Sequence, residues 1–220
     1  MVNPTVNAED YDLDESELIE DAPEAKPKHG TSVQAGWGAA DSLLKPKSSG
    51  EYPNDFRFSE QVQLVRFLDN EPFAIYQQHW IEREGKKSFV CLGDECPLCN
   101  IVGDKPRGKF AFNVLVLTEE EPAVQILTAP PTFARQLRAA NDDTRRGPLT
   151  KYYWAISRQG QGPQTTYSLE RVRATDLAEE WELDAEEVTS IASAAEKYGP
   201  ETVYVTPYDE LLKVARSLVS

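Results

Sequence analysis

The chain has 220 residues, of which 27% are charged and 40% hydrophobic, a composition typical of a globular protein. No apolar run approaches the roughly 20 residues that a membrane-spanning helix needs. The acidic N-terminus lacks the basic start and the apolar stretch of a secretory signal. We therefore expect a cytosolic protein without a membrane partner, in which one well-cored domain carries appendages.

The net charge of −14 is unevenly distributed along the chain. Residues 1–35 carry a net charge of −7 and residues 176–220 a net charge of −8, whereas residues 36–175 carry +1. A phosphate backbone responds to the charge on the face that it touches. The overall acidity therefore neither supports nor excludes nucleic-acid binding by the middle of the chain.

Residues 1–35 contain too little apolar sequence to offset the entropy of ordering the chain, so we predict a disordered acidic arm. Such an arm is typical of a DNA mimic or a partner-binding tail, and equally of a solubilising leader. Residues 36–60 are transitional, and a short helix fits residues 39–45.

Residues 61–175 alternate between short strands and turns, with a period of two along the strands and glycine or proline in several turns. The pattern predicts strands at 61–69, 73–81, 87–91, 110–118 and 123–128, a helix at 132–141, and strands at 152–158 and 165–172. This count favours a mainly β fold with α-helices. The corresponding nucleic-acid-binding form is the OB-fold, a five-stranded Greek-key barrel. We expect an OB-fold domain at 36–175.

A helical pattern replaces the strand pattern after Ala174. Asp184–Glu187 has the spacing of a capping box and precedes an apolar stripe. Thr206–Asp209 repeats this signal before a second stripe that includes Leu211. The sequence therefore predicts an acidic, helical C-terminal extension at 176–220.

The three cysteines, Cys91, Cys96 and Cys99, lie within nine residues, and His79 precedes them. An odd number so tightly grouped is a poor disulfide framework, whereas one imidazole and three thiolates complete a tetrahedral zinc site. Cys91 ends a predicted strand and His79 lies late in the preceding one, so a hairpin could bring both to the turn between Cys96 and Cys99. We predict one structural Zn²⁺ ion in an inserted zinc-binding hairpin at about 76–102.

The cysteines also permit a redox pair at Cys96 and Cys99, three unrelated buried thiols, or a zinc deaminase. A redox pair normally begins a helix beside a central strand, and that context is not predicted here. A deaminase needs His-x-Glu and Pro-Cys-x-x-Cys. Here Glu82 lies three residues after His79, and the proline follows Cys96. The spacing therefore favours a structural metal over a catalytic one.

Basic and aromatic residues are interleaved in the middle of the chain. A single strand of nucleic acid offers bases that stack on aromatic rings and phosphates that attract cations. The predicted DNA contacts are Lys105, Arg107, Lys109, Phe110, Phe112, Arg145, Arg146, Tyr152, Tyr153, Trp154, Arg158 and Tyr167. Strand alternation places Lys109 on one face and Phe110 and Phe112 on the other. Phe110, Phe112 and Trp154 are equally typical of a hydrophobic core.

The stretch from Val65 to Val102 resembles the helix-destabilising, single-stranded DNA-binding proteins of T-even phages and their relatives in phages of actinobacteria. The likeness continues more faintly through the basic and aromatic strand that ends at Phe112–Val116 and through residues 147–172, and in all it covers about half of the chain. It is carried by Val65-Arg66-Phe67-Leu68, Pro72-Phe73-Ala74-Ile75, His79, Gly85-Lys86, Cys91, Cys96-Pro97-Leu98-Cys99 and Ile101. The order His, Cys, Cys-Pro-x-Cys matches the zinc ligands of that family. Arg66, Lys86 and Lys87 fall within this stretch and complete the set of candidate DNA contacts.

The resemblance implies an OB-fold with a zinc subdomain, cooperative coating of single-stranded DNA, and roles in phage replication, recombination and repair. It also implies a location in the cytoplasm of an infected bacterium. The prototype has a basic N-terminal arm and a flexible acidic tail, whereas this chain has an acidic arm and a helical C-terminus. The expected partners are single-stranded DNA and, through the acidic ends, phage replication and recombination proteins.

We therefore expect a non-enzymatic, sequence-nonspecific single-stranded DNA-binding protein that is monomeric in solution and can assemble cooperatively on DNA. The main alternative is a zinc-containing protein–protein adaptor that does not bind DNA. A zinc-dependent nucleic-acid enzyme ranks last, because the sequence shows no nucleophile–base set and no phosphate-binding loop.

Overall fold

The computed structural model describes residues 53–119 and 121–219. The predicted acidic arm at 1–35 and the predicted helix at 39–45 lie outside the described residues. The described residues all belong to one compact unit, Gly50–Ser220. No helix in these two ranges is both long enough and apolar enough to span a bilayer.

Seven strands form one sheet, and the pairings between these strands are antiparallel. The strands are β1 (Gln63–Phe67), β2 (Ala74–Trp80), β3 (Ser88–Val90), β4 (Arg107–Val116), β5 (Ala123–Ala129), β6 (Tyr153–Gln159) and β7 (Thr166–Val172). The α-helices of the described ranges are α1 (Pro131–Asp142), α2 (Ala174–Glu180), α3 (Ala185–Ala194) and α4 (Tyr208–Val219). The mainly β fold with α-helices is confirmed.

Strand β4 organises the sheet because it pairs with three other strands. Residues 110–116 of β4 pair with β5 along one edge. On the other edge, residues 107–111 pair with β2 and residues 114–116 pair with β1. The order β3-β2-β4-β1-β6-β7, with β5 attached to β4, leaves β5 and β7 unpaired with each other over the described residues. The sheet is therefore open, and the predicted closed five-stranded barrel is not confirmed.

The inner face of the sheet, defined here as the face covered by α1, carries the larger core. Val65, Val114 and Ile156 point inward from three different strands and are fully buried. Phe133 and Leu137 of α1, which lie four residues apart on one helix face, complete this cluster. Helix α1 begins at a proline, whose fixed φ suits the first helical position.

The outer face carries a second core beneath α2 and α3. Leu64, Leu115 and Tyr153 alternate with the inward residues of the same strands and pack against Leu177 of α2 and Val188 of α3. The sheet is therefore buried on both faces over β1, β4 and β6. This two-sided burial explains the continuous run of buried residues from 111 to 117 along β4 and beyond its end.

A crossing segment, residues 195–207, runs from α3 across the outer face to the β2–β3 hairpin. Lys197 donates hydrogen bonds to the carbonyl of Leu68 and to Asp69, both at 2.8 Å. The backbone of Tyr198 exchanges two hydrogen bonds with the buried amide of Asn113, at 2.9 and 3.0 Å. The segment then leads into α4, which packs on the hairpin.

The sequence predicts the order of the strands and of α1, α3 and α4 correctly, with boundary errors of a few residues, but it does not predict α2 as a separate helix. The largest shift is at β4, which begins at Arg107 instead of Phe110. Asp184 caps α3 as predicted, accepting a hydrogen bond from the amide of Glu186 at 2.7 Å. The hydroxyl of Thr206 instead accepts a hydrogen bond from Lys86 at 3.0 Å.

Replacing Phe133 with alanine should lower the free energy of unfolding by about 3–5 kcal/mol, because the ring is fully buried between α1 and the sheet. Denaturation in urea measures the loss. Gln136→Ala, at an exposed position of the same helix, should change stability by less than about 0.5 kcal/mol. Equal effects of the two substitutions would contradict the packing of α1 on the inner face.

Candidate metal centre and adjoining cleft

Four side chains from the β2–β3 hairpin and the loop after it converge on one point. His79 lies near the end of β2, and its ring is fully buried. Cys91 directly follows β3, and Cys96 and Cys99 flank the start of a five-residue π-type turn, Leu98–Val102. The predicted ligand set is thus brought together, with the four ligating atoms all within 4.8 Å of one another.

The separations match a tetrahedral metal site. The Nε2 atom of His79 lies 3.4 Å from the sulfur of Cys96 and 3.6 Å from that of Cys99. The sulfurs of Cys91 and Cys99 are 3.6 Å apart. Metal–sulfur bonds of ~2.3 Å and metal–nitrogen bonds of ~2.0 Å give tetrahedral edges of ~3.5–3.8 Å. The four residues could therefore hold a metal ion such as zinc.

Asp104 orients the histidine ligand. Its carboxylate accepts a hydrogen bond from Nδ1 of His79 at 2.6 Å. This bond places the proton on Nδ1 and leaves the lone pair of Nε2 directed at the three sulfurs. Sequence spacing did not identify Asp104, although an acidic residue five positions after Cys99 is the type that supports a ligating histidine.

Backbone hydrogen bonds favour a thiolate at Cys96. Burial raises the pKa of this thiol, but hydrogen bonds with the backbone of Leu92, Cys99 and Leu98 outweigh it and lower the pKa to about 7. Burial and the neighbouring thiol of Cys91 instead raise the pKa of Cys99 to about 12. A bound metal cation would remove this difference in pKa, because thiols that coordinate a metal are deprotonated outright.

A cleft of about 470 Å³ lies on the inner face, between α1 and the paired strands β2 and β4. Ile75 and Phe110 are register partners on its floor, and the side chain of Ile75 is 65% exposed. Arg135 and Arg138 of α1 line the opposite wall. Glu71 and Asp142 also lie on the lining, so the cleft is not purely cationic.

A basic and aromatic surface continues from the cleft around Tyr152. The side chain of Asn70, at the cleft, accepts two hydrogen bonds from Thr150 at 2.9 and 3.1 Å. Two residues further on, the Tyr152 ring lies 4.8 Å from the guanidinium of Arg171 and 5.3 Å from the ammonium of Lys151. Arg171 also donates to the carbonyl of Arg145 at 2.9 Å.

Three of the predicted stacking residues belong to the core instead. Phe112 and Trp154 point into the inner core, and Tyr153 points into the outer core. The indole of Trp154 donates to the carbonyl of Leu149 at 2.8 Å, which satisfies its one polar group. These rings present no open face to a base. Phe110, Tyr152 and Tyr167 are partly exposed, and Tyr167 packs edge-on against Phe58.

Several predicted DNA-contacting cations have partners within the protein. Arg66 donates to Tyr153 and Thr189 on the outer face. Lys86 bonds to Thr206, and Lys87 pairs with Glu82 at 2.7 Å. These three residues lie away from the cleft lining, on the outer face or the hairpin.

None of the remaining predicted cations is part of the cleft lining. Lys105 and Arg107 are exposed near the start of β4, whereas burial and the nearby Arg107 lower the pKa of Lys109. Arg145 and Arg146 are exposed, with long ion pairs to Asp143. Arg158 is partly buried, and its Nε atom has no hydrogen-bond partner among the described residues.

The sequence prediction missed four residues that the structure places on this surface. Arg135 and Arg138 lie on the polar side of a helix, where charged residues are usually solvated. Ile75 has the sequence context of an ordinary strand residue. Arg171 follows the alternation of β7 and becomes notable only through its contact with Tyr152.

No protein-family model, curated protein sequence or solved structure matches this chain. The site must therefore be interpreted from its own geometry.

Replacing Asp104 with alanine should weaken Zn²⁺ binding by about 10- to 100-fold, because His79 loses the acceptor that fixes its tautomer and orientation. Competition with a colorimetric chelator measures the affinity. Asp94→Ala, an exposed acidic residue in the same loop, is the matched control and should leave the affinity unchanged. A normal affinity for the Asp104 variant would show that the hydrogen bond does not position the ligand.

Proposed function

We propose that this protein binds single-stranded DNA without sequence preference, through the inner-face cleft and the surface around Tyr152. The observation that carries the proposal is the pairing of Ile75 and Phe110 on a cleft floor that faces Arg135 and Arg138. Partly exposed apolar and aromatic side chains beside cations suit unstacked bases and their phosphates. Coating of single strands in replication, recombination and repair is the biological role that this activity fits.

The metal is proposed to be one structural Zn²⁺ ion. Three thiolates and one imidazole fill a tetrahedral shell, so no position remains for a reactive water. Glu82, the nearest acidic candidate in a deaminase-like spacing, is exposed and bonded to Lys87 and Trp80. This arrangement supports a folding role for the ion and no catalytic one.

We also propose that the open sheet is a variant of an OB-type barrel. The strand segment around Asn54 and Phe56 bonds with Ile126 of β5, and three residues later Ser59 accepts a hydrogen bond from Arg158 of β6. One short segment therefore joins the edge of β5 to a strand that is not its neighbour in the sheet. This link curls the sheet around the inner core in the way that a barrel requires.

Replacing Phe110 with alanine should weaken binding of fluorescein-labelled oligo-dT by about 5- to 150-fold, which corresponds to about 1–3 kcal/mol for a lost stacking contact. Fluorescence anisotropy measures the dissociation constant. Phe110→Leu keeps the apolar packing against the inner core and should still lose most of the affinity.

Trp80→Ala is the matched control for stacking. Trp80 is 64% exposed, and strand alternation places it on the opposite side of β2 from Ile75. Its removal should leave affinity for oligo-dT unchanged. Equal losses for Phe110→Leu and Trp80→Ala would contradict the cleft as the binding site, and no binding by the wild-type chain would favour the protein–protein adaptor.

Replacing Arg138 with alanine should flatten the dependence of log affinity on log salt concentration by about 0.7, the value expected for one phosphate contact on a single strand. The guanidinium is mostly exposed, and its 3.6 Å pair with Asp142 is a weak surface contact. Anisotropy titrations at three salt concentrations give the slope. Arg216→Ala on α4 is the control, and a slope change as large as that of Arg138→Ala would place the phosphates elsewhere.

A further inference from the structure

Helix α4 packs against the β2–β3 hairpin and the loop after it, which carry the candidate metal ligands. Leu211 and Ala215, one turn apart on α4, are both fully buried. They pack in one apolar cluster with Cys96 and Leu98 of the metal loop, which are also fully buried. Leu98 of the metal loop and α4, which begins more than a hundred positions later, therefore share one core.

A second contact fixes the start of this helix to the hairpin. The ammonium of Lys86 donates to the buried hydroxyl of Thr206 at 3.0 Å. The same ammonium lies 4.3 Å from the centre of the Tyr204 ring. Lys86 sits at the tip of the β2–β3 hairpin, so the segment before α4 closes over that tip.

The metal loop has little structure of its own to hold this shape. Strand β3 contributes three residue pairs to β2, and the loop from Leu92 to Asp104 contains only a 3₁₀ turn and a π-type turn. So small an apolar cluster normally needs a metal or a neighbouring element for stability. Both kinds of support meet at Cys96, which is a candidate metal ligand and also packs against α4.

We propose that metal binding and the docking of α4 are thermodynamically coupled. With metal bound, the loop presents Leu98 and Cys96 in the arrangement on which Leu211 and Ala215 close. Without metal, that surface loses its shape and α4 separates from it. The coupling is reciprocal, so the docked helix raises metal affinity by the same factor by which metal favours docking. This inference does not depend on DNA binding.

Metal affinity of the full chain tests one direction of the coupling. Leu211→Ala removes the buried contact and should raise the dissociation constant for Zn²⁺ about tenfold or more, measured by chelator competition. Leu218→Ala makes the same chemical change at a position that is 36% exposed and should change the constant by less than about twofold. Thr206→Val removes only the hydrogen bond with Lys86 and should weaken Zn²⁺ binding less than Leu211→Ala.

Hydrogen exchange tests the other direction and controls for unfolding. Removal of metal from the wild-type chain should increase exchange at the amides of α4, while the amides of α1 keep their protection. The Leu211 variant should show the same pattern with metal present. Wild-type zinc affinity in Leu211→Ala would overturn the proposal. So would persistent protection of α4 without metal, or a loss of protection in α1 together with α4, which would indicate global unfolding.

Discussion

The shared edge of β4 is the constraint on which the rest of this structure depends. One ten-residue strand pairs with β2 over its first half and with β1 over its second half, while β5 follows the opposite edge. The turn between β1 and β2 keeps the ladder continuous, since Leu68 and Phe73 donate to the carbonyls of Asn113 and Ala111. The β2–β3 hairpin, which carries the candidate metal site, is therefore an extension of the central sheet, and its position relative to the inner core is set by backbone pairing.

This arrangement connects the metal centre to the cleft through two strands. Strand β2 carries Ile75 on the cleft floor and His79 at the metal, four residues apart. Asp104, whose carboxylate bonds to His79, lies three residues before the start of β4, the strand that carries Phe110. Strand β3 forms only three residue pairs with β2, so a bound metal would mainly stabilise the end of the hairpin. The five residue pairs between β2 and β4 do not involve the metal loop and hold the floor of the cleft in place.

The sequence predicted those features that depend on local patterns of residue type and spacing. Alternation located the seven strands, and the spacing of His79 and the cysteines located the candidate metal ligands, because both depend on near neighbours in the chain. It could not decide which aromatic residues are exposed. Phe110 and Phe112 share one face of β4, yet only the second is covered by the inner core. It also missed Arg135 and Arg138, whose importance arises from the docking of α1. Nor did it predict that β5 and β7 do not pair with each other over the described residues, because strand pairing is non-local.

The separation of charge between the two faces explains how an acidic chain could accept a phosphate backbone. The exposed carboxylates of α2 and α3 lie beyond the outer core, so the sheet and a helix layer stand between them and the cleft. Packed layers are ~10 Å apart, which is about one Debye length at physiological ionic strength. Within the cleft itself, Glu71 and Asp142 offset much of the attraction of Arg135 and Arg138. We therefore propose that affinity for a single strand comes mainly from base contacts with Ile75 and Phe110, while the cations chiefly position the backbone over them.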